Sequence, residues 1–310
     1  MTIDGKDIYK EYGCMLLDGA FDGLLKYPKR KTVNYNNWAE VSGIEPDLSR
    51  IEFEPRSINM SFLLESDSNE QFWSRYNRLV SDLSAPGYRT LQFVDGLSHQ
   101  VRLSAGNAFS IPDPFNVSGN LSEFGVTVVE DTPSIPSVSA PSYGGINLRG
   151  QISVNGIDFG AFGIGCDDDI DDILKFPGVK EPFTDGVDYY LDTVSVKHKE
   201  ISLSLWMMAG SVAEFLNYYS SFFTQWNVTG MRELYIKALG GSVNAYYSDC
   251  TGFTVEIWQE DCIAVRFSLS LVIPVVTWVN AGGTTIRRVL LDAELNMLLA
   301  NEEGKVIVFN

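Results

Sequence analysis

Apolar and polar residues alternate strictly along two stretches of this chain: Ile58, Met60, Phe62 and Leu64 in one, and Ile201, Leu203, Leu205 and Met207 in the other. Period two over that length predicts a strand with one buried face. Each stretch runs into a capping box, Ser68 with Gln71 and Ser211 with Glu214, in which a hydroxyl and a later side chain satisfy the first amides of a helix. Helical spacing then takes over. Phe72, Trp73, Tyr76, Leu79, Val80 and Leu83 form one stripe, and Phe215, Leu216, Tyr219, Phe222, Phe223 and Trp226 form the other. Stripes this wide and aromatic predict helices lying on a sheet, so the rings read as core rather than as a ligand groove. A glycine, Gly87 or Gly230, stops each helix, and strands are predicted at 88–94 and 231–238.

The two patterns are one pattern used twice. Residues 58–93 align without gaps on residues 201–236 at a constant offset of 143, with eight of 36 positions identical. Arg89 and Arg232 are among these pairs, each two residues after its glycine. Fainter echoes extend the match. Ile3-Asp4-Gly5-Lys6 resembles Val154-Asn155-Gly156-Ile157, a hairpin turn between apolar residues. Tyr12-Gly13 resembles Phe162-Gly163, Tyr27-Pro28 resembles Phe176-Pro177, and 124–129 resembles 267–272. The expected organisation is a first β domain at 1–130, a Pro/Ser-rich linker at 131–149, a second β domain at 150–278 and a C-terminal β extension at 279–310. The fold class is mainly β, with one flanking helix per domain.

Composition narrows function by exclusion. The 310 residues carry 23 basic and 40 acidic side chains, a formal charge of −17. Nucleic acid and anionic membranes are bound by Lys/Arg surfaces, so this balance argues against both as partners. Only His99 and His198 are present, which excludes a multi-His zinc site and disfavours a His-dependent triad. His99 is expected on a strand or hairpin surface, and His198, flanked by Lys197 and Lys199, is expected exposed. The four cysteines lack CxxC spacing and are expected reduced, although Cys250 and Cys262 leave a bridge open in principle. No GxGxxG, GxxxxGK[ST] or GxSxG motif occurs. The acidic run Asp167-Asp168-Asp169-Ile170-Asp171-Asp172 lacks the glycine-centred loop and distal Glu of a calcium hand and reads as a solvated loop. No catalytic, cofactor-binding or metal-binding residues are assigned, and no cofactor is expected. Neither a secretory signal nor a membrane-spanning apolar run is visible.

These motifs resemble the N-terminal domain of the distal tail protein family of long-tailed phages. The resemblance rests on Gly5-Lys6-Asp7-Ile8, Tyr12-Gly13, the basic segment Tyr27-Pro28-Lys29-Arg30-Lys31, the alternating strand, the Phe72/Tyr76/Leu79 helix and the strand after Pro86-Gly87. It covers the first copy well and the second more loosely. It implies two β-sandwich or split-barrel domains related to phage tail-tube domains. It also implies a place in the virion tail, in a homo-oligomeric ring joining the tail tube to baseplate or hub proteins, with DNA passing through the lumen. The family usually carries one such domain followed by a different one, whereas this chain repeats the ring-type unit. Three chains forming a pseudo-six-fold ring, or six chains with the second copy as an outer platform, both fit. Residues 1–150 hold 13 basic and 19 acidic side chains, and the rest 10 and 21. An acidic or neutral lumen would pass DNA without holding it.

Arg89, Arg232, Lys29, Arg30 and Lys31 are candidate interface residues. For the two arginines, pairing with a carboxylate inside their own domain is the alternative role. From a different class, the chain reads as a two-domain carbohydrate- or surface-binding protein, for which Tyr246-Tyr247 and Trp278 would supply the aromatic platform.

Overall fold

The computed structural model describes residues 1–17, 19–39, 41–94, 97–106, 109–110, 121–133, 151–167, 177–180, 195–237 and 241–276, with four short strands beyond. The fold is mainly β. In the first half, β1 (Thr2–Ile3), β2 (Lys6–Asp7), α1 (Ile8–Tyr12), β3 (Cys14–Leu16) and α2 (Ala20–Leu25) precede a small hairpin of β4 (Tyr35–Asn36) and β5 (Glu45–Pro46). Then come β6 (Arg56–Glu65), α3 (Asn69–Ser84), β7 (Arg89–Val94), β8 (Leu97–Leu103), β9 (Phe109–Ser110) and β10 (Leu121–Glu130). The second half has β11 (Ile152–Val154), β12 (Ile157–Asp158), a 3-10 turn (Phe159–Phe162), β13 (Ile164–Cys166), β14 (Lys199–Ala209), α4 (Val212–Trp226), β15 (Arg232–Ile236), β16 (Gly241–Gln259) and β17 (Cys262–Ile273). A meander of β18 (Trp278–Asn280), β19 (Thr285–Arg288), β20 (Leu298–Ala300) and β21 (Val306–Val308) continues from β16.

The pairing pattern of the first sheet recurs in the second. The order β2-β1-β7-β8-β10-β6-β3 has its counterpart in β12-β11-β15-β16-β17-β14-β13. Register is preserved at the sequence offset: Phe62 faces Phe124 where Leu205 faces Phe267, and Leu64 faces Ser122 where Met207 faces Val265. Because the side-chain period is two, the same register buries the same rows, Ile58/Met60/Phe62/Leu64 and Ile201/Leu203/Leu205/Met207. Local devices match as well. Asp4-Gly5 and Asn155-Gly156 both take positive φ, the backbone of a tight hairpin turn. The Asp4 carboxylate accepts from Thr90 N (2.8 Å), and the Asn155 side chain accepts from Glu233 N (3.1 Å).

Both helices start as their sequences predict, with one difference. Ser68 and Ser211 accept from the amides of Gln71 and Glu214, each at 3.2 Å. Gln71 and Glu214 reach back one residue beyond the cap, to Asp67 N (2.6 Å) and Gly210 N (2.7 Å). The helices differ in burial. On α3 only Phe72, Leu79 and Leu83 are buried and Trp73 is exposed, whereas α4 buries seven residues, from Phe215 to Trp226. The cause is the first half, which lies against α4. One continuous apolar core runs through both halves.

Candidate functional site

The segment joining α2 to β6 has no hydrophobic periodicity, and the fold uses it as an arm laid across the second half. Residues 29–31 pair with 52–54 around an Arg30–Phe53 bridge, with Lys31 N donating to Glu52 O and Glu54 N to Lys29 O, both at 2.8 Å. Period two then sorts the basic triplet. Lys29 and Lys31 stay outside, in ion pairs with Glu54 (3.2 Å) and Glu52 (2.8 Å). Arg30 turns inward, 4% exposed, its guanidinium donating to Arg50 O (3.0 Å) and lying 5.5 Å over the Tyr246 ring. Burial pulls its pKa below the usual arginine value.

Aromatic rings lock the arm down. Tyr27 stacks on Phe223 and meets Tyr247 edge-on, with centroids 4.0 and 5.1 Å apart. Tyr247 donates to Pro28 O (2.9 Å), and Tyr219 donates to Leu25 O. The long strand β16 bends to receive these groups. Its register against β17 shifts three times, and a bulge frees backbone groups from the ladder. Ser248, at the first shift, accepts from Arg30 N (2.9 Å), and Val255, at the third, donates to Asp22 Oδ1 (2.9 Å).

The β4–β5 hairpin forms a second fastening. Gly43 N donates to Val196 O (2.7 Å) and Ile44 N to Pro274 O (3.0 Å). Lys180 donates to the carbonyls of Trp38 (2.7 Å), Val41 (2.6 Å) and Gly43 (2.6 Å). Beside it lies an open groove of about 320 Å³ lined by Asn37, Ala39, Lys180, Lys197 and His198.

Arg89 and Arg232 hold equivalent places. Arg89 donates to Pro86 O (2.6 Å) and Ala85 O (3.2 Å) behind α3 and pairs with Asp4 (3.1 Å). Arg232 donates to Gln225 O (2.7 Å) in the last turn of α4. Both therefore satisfy carbonyls at a helix C-terminus.

Three surface expectations are corrected. His99 is 3% exposed, because β8 turns it toward the sheet interior, beside Arg56 and Glu130. Arg56 Nε donates to Glu130 Oε2 (2.6 Å), and His99 Nδ1 lies 3.2 Å from Glu130 Oε1 and 3.1 Å from Arg56 Nη2. One ring nitrogen cannot both accept from Arg56 and donate to Glu130. His99 Nε2 is buried without a partner among the described residues. Placing the proton on Nδ1 leaves only a lone pair unsatisfied there, so Nδ1–H donates to Glu130. Burial opposes ionisation of Glu130, but the His99 hydrogen bond and the Arg56 charge outweigh it and hold the carboxyl below its usual range.

His198 is half-buried, its ring 6.0 Å from Tyr35. Tyr246 and Tyr247, the proposed aromatic platform, are 6% and 1% exposed because the arm covers them. Trp278's side chain lies outside the described residues, as does the acidic run after Asp167. All four cysteines are free thiols. Cys250 faces Leu269, seven positions along β17 from Cys262, roughly 20 Å and out of bridging range. Among the described residues no cluster of His, Cys, Asp and Glu is grouped to hold a metal, and no helix is long and apolar enough to cross a membrane.

No family model and no curated protein matches the chain. Among solved structures, it is similar to the SPP1 Dit protein, described as a paradigm of the hub adsorption apparatus of phages infecting Gram-positive bacteria. That match has 9% identity and a TM-score of 0.27, and covers 88% of this chain and 97% of the other. At that TM-score it carries no argument.

The outer faces of the paired long strands carry several small polar side chains among charged and apolar ones. Ser57, Asn59, Ser61 and Thr127 point outward in the first half, and Ser202, Ser204, Ser268 and Ser270 in the second. Asn59, Ser61 and Thr127 correspond to Ser202, Ser204 and Ser270, whereas Ser57 corresponds to Glu200, and Glu65, Glu123 and Arg266 stand exposed on the same faces.

Proposed function

We propose that the chain is a structural component of a phage or prophage tail tip. It assembles into a ring that links the tail tube to the baseplate or adhesion device, with DNA passing through the lumen. The observation that carries this reading is the recurrence, in one chain and at one register, of a strand–helix–strand unit whose motifs resemble the ring domain of distal tail proteins. Two such units held side by side in one chain suit a ring built from repeated domains. Charge supports the same reading. A net charge of −17 leaves phosphate little basic surface to bind.

Light scattering on the full chain at high concentration, with negative-stain imaging of the same sample, tests this. The expected particle is an annulus of three or six times the 34.5 kDa chain mass, without measurable affinity for duplex DNA. A monomer throughout, binding glycans, would overturn the reading in favour of a surface-binding protein.

A further inference from the structure

The long strands of the two halves stand level. β6 and β10 run from Arg56/Glu130 to Glu65/Leu121, and β14 and β17 from Lys199/Ile273 to Ala209/Ile263. Tyr27 meets Tyr247 at the first of these ends, and Phe93 meets Trp258 at the other, with centroids 5.1 and 5.4 Å apart. The molecule thus has an arm end, where the arm and the β4–β5 hairpin lie, and a cap end, where both long strands run into their capped helices.

Every large apolar side chain exposed among the described residues lies near one end or the other. At the cap end Tyr9 donates to Glu65, Trp73 stands in the first turns of α3, and Leu121 and Met15 lie opposite Glu65 and Leu63. Met208 and Ile257 lie there too, both opposite Ala264. At the arm end Lys180 holds the carbonyls of Trp38 and Val41, Tyr35 stands beside His198, Val179 faces Val196, and Val275 adjoins Gly43. Tyr88, which donates to Asp131, and Met231, next to the Gly230 amide that donates to Leu48 O, flank this group. Between the ends the outward positions hold small polar residues such as Asn59, Ser61, Thr127, Ser204 and Ser268. Exposed apolar surface gathered in this way marks contacts made end-on.

Charge decides which end accepts a second copy. At the cap end Glu65 and Glu123 on the sheet, Glu70 and Glu214 in the first helical turns, and Glu256, Glu260 and Asp261 in the β16–β17 hairpin are exposed, against Lys10, Arg75 and Arg266. Two such ends repel. Around the arm-end group Lys180, Lys197 and Arg50 stand among Glu45, Asp47 and Glu200, three of each sign. Two arm ends related by a two-fold axis can therefore set unlike charges opposite one another while covering the apolar side chains between them.

We infer that two copies of the chain pair through their arm ends, with Trp38, Val41, Val179 and Val275 of one against those of the other across a two-fold axis. The pairing goes beyond the ring reading and does not depend on it. Applied to rings, it sets two annuli back to back with their acidic cap ends turned outward.

Sedimentation velocity on the full chain tests it. Val179→Asp and Val275→Asp change side chains that are 48% and 43% exposed, so the thermal midpoint should hold. Each should weaken pairing by at least about tenfold and halve the mass of the assembled particle. Met208→Asp makes the same change at the cap end and should leave the wild-type mass. Equal masses in all four chains overturn the pairing, as does a mass halved by Met208→Asp alone. A series of ever larger end-to-end multiples would overturn the two-fold geometry in favour of arm end on cap end. Negative-stain views keep the ring reading separate. Single annuli in Val179→Asp and doubled ones in wild type uphold both. A wild-type pair of single chains that Val179→Asp turns into monomers upholds the pairing and overturns the ring.

Discussion

The Tyr27 ring lies flat on that of Phe223, with centroids 4.0 Å apart and planes 10° from parallel, and its hydroxyl donates to Phe223 O at 3.3 Å. These residues belong to different halves, and both are fully buried. Removing the ring should therefore loosen the junction rather than either sheet. Tyr27→Ala is expected to cost about 3–5 kcal/mol, and Tyr27→Phe, which keeps the stack, about 1 kcal/mol. Denaturant melts should stay single for wild type and for Tyr27→Phe. A separated second transition in Tyr27→Ala would report the halves unfolding apart.

Gly43 fixes the second fastening by having no side chain. Its φ is +81°, and a Cβ built on it would overlap the Pro274 carbonyl, which accepts the neighbouring Ile44 amide. Gly5 has nearly the same φ, +78°, and open space around it. The comparison separates backbone strain from collision. Gly5→Ala should cost about 1 kcal/mol, and Gly43→Ala at least twice that, with faster proteolysis around residues 35–46 measured under native conditions.

How far the fold could be read beforehand follows from the range of its determinants. Period two at Ile58–Leu64, the Ser68 and Ser211 caps and the Asp4-Gly5 turn depend on neighbours in sequence, so all were legible. The arm was not, because 26–55 shows no period. Its order comes from Tyr219, Phe223 and Tyr247, roughly two hundred residues away. For the same reason the burial of Tyr246 and His99 could not be inferred locally. A tyrosine pair on a strand looks identical whether or not something covers it.

Thiol chemistry should divide the cysteines two and two. Cys14 and Cys250 are buried, and burial pushes both thiols up to about 12, so neither is a thiolate at neutral pH. Cys166 and Cys262 are half-buried. A thiol reagent should label at most two sites within minutes in the native protein and all four in denaturant, read by intact mass. Fast labelling of four would mean that the core around β3 and β16 opens readily.

The helix-end arginines carry a prediction about role. Arg89→Ala removes two carbonyl partners and an ion pair, and Arg232→Ala removes one carbonyl partner. Losses of about 1–2 and about 1 kcal/mol are expected, with the assembled mass unchanged. A mass that drops while the thermal midpoint holds would place these residues at a contact between subunits.

The Arg56–Glu130–His99 cluster should set the acid limit of the fold. Glu130 is 1% exposed, and its carboxyl is held below the ordinary range, so the folded state binds its proton less readily than the unfolded chain does. Its stabilising contribution is therefore complete above the unfolded glutamate value of about 4.3 and is lost as pH falls through the lower folded value. Glu130→Gln removes the charge at every pH and leaves the half-buried Arg56 guanidinium without its carboxylate, though still on the Lys26 carbonyl, for a loss of about 2–3 kcal/mol at neutral pH. Below about pH 4 the wild type should lose stability steeply and approach the variant, and the two curves should converge. Urea midpoints at half-unit steps from pH 3 to 7 measure this directly. Parallel curves would mean that the Glu130 carboxyl titrates alike in the folded and unfolded chain, and a wild-type curve that falls relative to the variant as pH rises above about 4.3 would mean that Glu130 stays protonated in the fold.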